Sequence, residues 1–136
     1  MHLKFMNNDE YLGRIREDLR GVSRQAFGKL HRLETVAVTG AQEPPIWSRR
    51  LAKSLDIGEN QVAAELVNLM DMGALQRFPA EHDRRKIYQP LPHPIWAFAR
   101  HLLEETVQRV DEEDGDPVAR YWSVVLDGFG PVPIPR

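Results

Sequence analysis

The stretch that decides the fold is Ser48 to Gln89, SRRLAKSLDIGENQVAAELVNLMDMGALQRFPAEHDRRKIYQ. Ser48 can cap the open N–H groups of a helix beginning at Arg49, on which Leu51, Ala52 and Leu55 share one face. Leu55-Asp56-Ile57-Gly58 interrupts that period, and Asp56 and Gly58 both suit a turn. The spacing of Val62, Leu66, Leu69 and Met70 predicts a second helix from about Glu59 to Met72, stopped by Gly73. Two strand-like runs follow, Ala74 to Phe78 and Lys86 to Gln89, joined by a polar tip from Pro79 to Arg85. Helix, tight turn, helix and hairpin in that order describe a winged helix-turn-helix.

The runs RRLAKSLDIGENQVAAELVNLMDMGAL and EHDRRKIYQPL resemble the winged-helix core of MarR-type (multiple antibiotic resistance regulator) transcription factors over roughly a third of the chain. The helix-turn-helix half is common to many winged-helix families. The wing is more specific: Asp83-Arg84-Arg85 matches the family's D-x-R motif, ahead of an aliphatic–aromatic strand and a Pro-Leu pair. The resemblance implies a homodimeric regulator that binds duplex DNA, with Asp83 bracing Arg85. It also implies a small aromatic ligand between the dimer helices and the winged domain, near Trp47, Tyr88 and Trp96. The sequence departs from the pattern in the second helix, where two outward positions that often carry Arg hold Ala64 and Asn68.

The residues support a nucleic-acid reading on their own terms. In a helix-turn-helix the second helix enters the major groove and its outward side meets base edges. With Val62, Leu66 and Leu69 turned to the core, Asn60, Gln61, Ala64 and Asn68 face outward. Asn and Gln can bond the N6 and N7 atoms of adenine, and Ala64 can lie against a thymine methyl. Ser48 and Arg49 are placed for phosphates. Between Glu59 and Met72 there is no Lys or Arg, while Glu59, Glu65 and Asp71 are acidic, so that helix adds nothing to counterion release. Arg77, Arg84, Arg85 and Lys86 give the wing the charge the helix lacks, and a wing arginine can enter a minor groove. Two readings stay open: a DNA-binding regulator gripped by its wing, and a winged-helix protein–protein adaptor with weak or no DNA affinity.

Composition bounds the rest. The 136 residues suit one domain, and 42% hydrophobic with 28% charged residues is ordinary for a globular chain. The net charge of −2 is unevenly spread: residues 1–100 hold 15 Lys and Arg against 12 Asp and Glu, giving +3, and residues 101–136 hold 3 against 8, giving −5. The acidic excess therefore lies in the tail and does not argue against nucleic acid. There is no cysteine, and His2, His31, His82, His93 and His101 show no metal-ligand spacing. Neither a phosphate-cradling glycine loop nor a nucleophile elbow is present. No catalytic residue, metal or cofactor is expected. No apolar run reaches the roughly 20 residues of a membrane span, so a soluble cytoplasmic protein is expected.

The flanks complete a mainly α, α+β fold. Residues 1–22 read as an N-terminal helix or arm, 23–92 as the winged helix-turn-helix domain, and 93–136 as C-terminal dimerisation helices and tail. Asn8 or Asp9 should start a helix ending near Arg20; Gly21 interrupts it and Ser23 caps the next, with Phe27, Leu30 and Leu33 on its stripe. These segments carry Arg14, Arg16, Arg20, Arg24, Lys29 and Arg32, either a solvated face or a flank that touches phosphates. Ile46 and Trp47 fit a short first strand. Pro94 opens a helix to about Val110, and Asp116-Pro117 opens a last one that Gly128 ends. The apolar side of the Pro94 helix is too wide for one surface face of a small domain. A two-fold contact built from Ile95, Trp96, Ala99, Leu102, Leu103, Val107, Tyr121 and Trp122 is therefore expected.

Overall fold

The computed structural model describes residues 3–44, 46–80, 83–112 and 115–127, with residues 79, 80 and 83–86 described as backbone only. After a short 3-10 turn at Leu3–Phe5 come α1 (Asn8–Phe27), α2 (Arg32–Ala41), β1 (Ile46–Trp47), α3 (Ser48–Leu55), α4 (Glu59–Asp71), β2 (Leu75–Ala80), β3 (Asp83–Pro90), α5 (Pro94–Val110) and α6 (Pro117–Asp127). The strands form one antiparallel sheet in the order β1-β3-β2, so β1 does pair with the wing hairpin, Ile46 opposite Tyr88 and Trp47 opposite Ile87. The hairpin extends further towards its tip than its composition suggests. Leu75 pairs with Pro90 and Arg77 with Tyr88, and the register breaks between Phe78 and Ala80, around Pro79. Proline has no N–H for the ladder, and β2 is an edge strand, where that loss is tolerated.

One expectation fails in α1. Gly21 does not interrupt it: the helix is continuous from the Asn7 cap, whose side chain accepts the Glu10 N–H at 2.8 Å, to Gly28 at φ 72°. A single exposed glycine costs about 1 kcal/mol in a helix interior. Tyr11, Ile15, Leu19 and Ser23, buried at successive turns, outweigh it. The helix thus crosses the boundary expected at residue 22, and Phe27 belongs to α1. His31 holds the cap position of α2 without a side-chain bond, and Ser23, expected there, lies inside α1 and reaches the start of α2 only across space. The Ser23 Oγ accepts the Leu33 N–H at 3.0 Å and donates to the Lys29 carbonyl.

Helix α2 is the central element, buried at Leu33 and at every residue from Thr35 to Thr39. Gly40 lets α5 approach it. A Cβ at Gly40 would sit 2.6 Å from Trp96 Cε3, inside van der Waals contact. Gly40→Ala should therefore destabilise the chain by about 1–3 kcal/mol although alanine is the better helix former. Urea unfolding checks this, and a midpoint at or above the wild-type value would overturn it. Trp96 is also fixed by its indole N–H, which donates to the Leu91 carbonyl at 2.8 Å.

The residues expected at a two-fold contact need correcting. Ala99, Leu103, Val107 and Tyr121 are 0% exposed and Trp122 is 8% exposed within the single chain. Helices α1, α2 and α6 of the same chain pack against α5, so these side chains form its own core and cannot also face a second copy. Ile95, Trp96 and Leu102 are half-buried, and Phe98 stands 49% exposed with Phe27 edge-on to it at 5.9 Å. The remaining outward apolar face is narrower than the sequence suggests. No described helix is long and apolar enough to cross a membrane. The tail from Gly128 onward lies outside the described residues.

Candidate nucleic-acid interface

The helix-turn-helix is set by how α3 ends. Asp56 adopts the left-handed conformation at φ 54°, ψ 48°, and the Ile57 N–H returns to the Ala52 carbonyl at 3.1 Å. That reversal closes the last turn of α3 and redirects the chain within three residues. Ser48 is the first residue of α3 and not its cap; Trp47 holds the cap position without a side-chain bond. Gly58 is extended, at φ −68° and ψ 147°, and precedes α4. The Gln61 side-chain oxygen accepts the Gly58 N–H at 3.2 Å, half of a capping box. Leu51, Leu55, Val62, Leu66 and Leu69, all at 1% exposure or less, lock the two helices together.

The outward face of α4 carries Asn60, Gln61 and Ala64, all exposed, and half-buried Asn68. Capping occupies the Gln61 oxygen, so a two-bond contact to adenine falls to Asn60 or Asn68, with Gln61 left as a donor. Val67, 50% exposed and one turn beyond Ala64, was missed as a member of this face. The signal was present: core positions at 62, 66 and 69 place 67 outward, and its methyls suit a thymine methyl.

The acidity of α4 is smaller than its composition suggests. Arg32 reaches across from α2 to Glu65, with Nε at 2.8 Å and the terminal nitrogen at 3.4 Å, and Glu65 is only 12% exposed. Glu59 lies 3.7 Å from Arg49, but both are well exposed and that pair is worth little. A Glu65→Lys substitution would set two cations face to face, and so cannot simply add a charge for DNA.

Cations border α4 on two flanks. On α3, Arg49 is 92% exposed, and with Arg50 and Lys53 it borders a shallow groove that runs past Asp56 and Ile57 to Glu59. Arg50 and Lys53 were not singled out from the sequence. Arg24 and Lys29 are exposed beside the other flank, and Arg77 is exposed on β2 opposite Tyr88. Of the six cations from Arg14 to Arg32, Arg16 is bound to Glu34, Arg32 to Glu65, and Arg14 to Asp18. The side chains of Asp83, Arg84, Arg85 and Lys86 lie outside the described residues; the backbone places them on β3. Of the rings expected at an aromatic ligand, Tyr88 is 3% exposed and Trp96 is committed to Gly40 and Leu91. Burial pushes the Tyr88 hydroxyl up from its ordinary pKa, with Arg77 pulling the other way. No group of three or more metal-ligating side chains occurs among the described residues.

No family model and no curated protein sequence matches the chain. Solved structures do. A MarR-family transcriptional regulator from Rhodococcus sp. RHA1 superposes with a TM-score of 0.61 at 12% identity, covering 90% of this chain and 91% of that one. CouR from Rhodococcus jostii RHA1, solved bound to p-coumaroyl-CoA, gives 0.59 at 13% identity over 99% of both chains. A MarR-family regulator from Neisseria meningitidis gives 0.53 at 23% identity over 90% of both. The fold is a MarR-like winged helix.

Proposed function

We propose that the chain is a double-stranded DNA-binding transcriptional regulator that acts as a homodimer, with α4 in the major groove and the basic wing on the minor groove and phosphates. The observation that carries this reading is the outward face of α4. Asn60, Gln61, Ala64 and Val67 are solvent-exposed on a helix locked in helix-turn-helix geometry, with its one half-buried acid, Glu65, held by Arg32. The described neighbours are transcription regulators, which supports the same class. By analogy with CouR we include a small aromatic ligand among the partners. The adaptor reading keeps one supporting fact, the absence of Lys and Arg from Glu59 to Asp71.

Titration against random-sequence duplex at low and moderate salt tests the reading. The wild-type chain should bind at low salt and weaken steeply as salt rises. Arg84→Ala with Arg85→Ala should reduce affinity on every sequence and lower the slope of log K against log salt by about 0.9 per lost phosphate contact. Asn60→Ala should instead cost about 1–3 kcal/mol on a selected site and little on random duplex. Absence of binding by the wild type at every salt concentration would make the adaptor the better description.

A further inference from the structure

Between the loop that joins α1 to α2 and the N-terminal half of α4 lies a cleft of about 500 Å³. Arg24, Lys29, His31 and Arg32 line one wall, and Gln61, Ala64 and Glu65 line the other. Its charge can be counted. Arg32 and Glu65 cancel as a 2.8 Å pair. His31 is driven towards its neutral form by burial and then by Arg20, with Glu34 and Glu65 acting in the opposite sense. Glu34 is itself held by Arg16. Arg24 and Lys29 are exposed and have no ion-pair partner among the described residues. The cleft therefore holds two uncompensated positive charges beside the side chains placed to meet bases.

The loop that presents them is fixed in place. Gly28, at φ 72°, returns its N–H to the Arg24 carbonyl at 2.9 Å. The buried Ser23 hydroxyl binds the Lys29 carbonyl and the Leu33 N–H together. Little ordering remains to be done when a ligand arrives. A duplex with its major groove on α4 runs a sugar–phosphate strand along each side of that helix. The strands carry a charge every ~1.7 Å of duplex length, and α4 has no cation to meet them.

We propose that this cleft is a phosphate clamp. Resting on the DNA-binding reading, it takes a backbone phosphodiester of the duplex whose bases α4 meets, held by Arg24 and Lys29. The clamp supplies from the α1–α2 connection the counterion release that α4 cannot, and it fixes the register of α4 on the groove without reading sequence.

The test compares wild type, Arg24→Gln with Lys29→Gln, the charge-preserving Arg24→Lys with Lys29→Arg, and Arg14→Gln as a control outside the cleft. Each is titrated with a labelled random-sequence duplex between about 50 and 200 mM sodium chloride. The glutamine pair should bind more weakly and its log–log salt slope should fall by about 1.8, one phosphate per protomer of the dimer at about 0.9 each. The charge-preserving pair and Arg14→Gln should keep the wild-type slope, and all four should melt alike because the replaced side chains are exposed. A glutamine pair that matches wild type at every salt concentration overturns the clamp and leaves DNA binding standing. A wild type that binds no duplex overturns both. Replacing chloride with inorganic phosphate at constant ionic strength separates the remaining source. If the glutamine pair loses phosphate binding but keeps the duplex slope, the cleft is a free-anion site and the clamp is wrong.

Discussion

Glu34→Ala should cost about 3–5 kcal/mol of folding free energy, a large share of the roughly 5–15 kcal/mol that a domain of this kind has. Glu34 sits on α2 where four helices meet. The Arg16 Nε of α1 lies 2.9 and 3.0 Å from its two oxygens, and the Tyr121 hydroxyl of α6 donates to one of them at 2.6 Å. A terminal nitrogen of Arg16 donates to the Ser54 carbonyl of α3 at 2.9 Å, and the Ser54 hydroxyl bonds the Val125 carbonyl of α6 at 3.0 Å. Arg16 is 7% exposed. Removing Glu34 leaves its guanidinium buried without a counter-charge and strips Tyr121 of its acceptor. Burial, and then Glu34, raise the Tyr121 pKa well above its ordinary value, so its hydroxyl is a donor throughout the neutral range. Tyr121→Phe should cost only about 1 kcal/mol, since it removes one hydrogen bond and leaves the ion pair intact. Replacing both charges, Arg16→Met with Glu34→Leu, should recover most of the loss because no unpaired charge remains. Thermal and urea unfolding read all three, and a Glu34→Ala midpoint within error of wild type would show that the network contributes nothing.

Leu103→Glu should unfold the chain, while Phe98→Glu should leave it folded and separate its copies. Leu103 is 0% exposed beneath the other helices of its own chain, and a carboxylate there has no partner; the expected loss exceeds about 4 kcal/mol. Phe98 is 49% exposed, so glutamate there reaches water in the single chain and is buried only in a dimer that uses the α5 face. Substituting Leu102 and Leu103 together would mix the two effects and could not report on assembly. Circular dichroism melts and sedimentation separate them. A folded Leu103→Glu protein would contradict the packing of α5, and a wild-type mass of one chain across micromolar dilution would remove the dimer.

The sequence by itself determined the helix-turn-helix, its hairpin and the first strand that pairs with it. Those elements rest on local signals that no distant contact overrides: the period of Val62, Leu66 and Leu69, the left-handed preference at Asp56, and the stop at Gly73, which has φ 82°. Pro94 likewise marked α5 and the Asp116-Pro117 pair α6, where Asp116 accepts the Ala119 N–H; the His93 cap of α5, which accepts the Ile95 N–H, is seen only in the structure. Only the tertiary structure decided three further matters. Gly21 reads locally as a break, yet burial at Ile15, Leu19 and Ser23 carries α1 through it. The wide apolar side of α5 reads as a subunit contact, yet α1, α2 and α6 of the same chain cover most of it; one chain's periodicity cannot say which chain supplies the cover. Charge is the third. The sequence counts Glu65 as a repulsive acid on α4 and Arg32 as one of six equivalent cations. Their pairing across 33 residues cancels both and leaves Arg24 and Lys29 as the cations in the cleft beside α4, because an ion pair depends on distance in space and the linear chain does not record it.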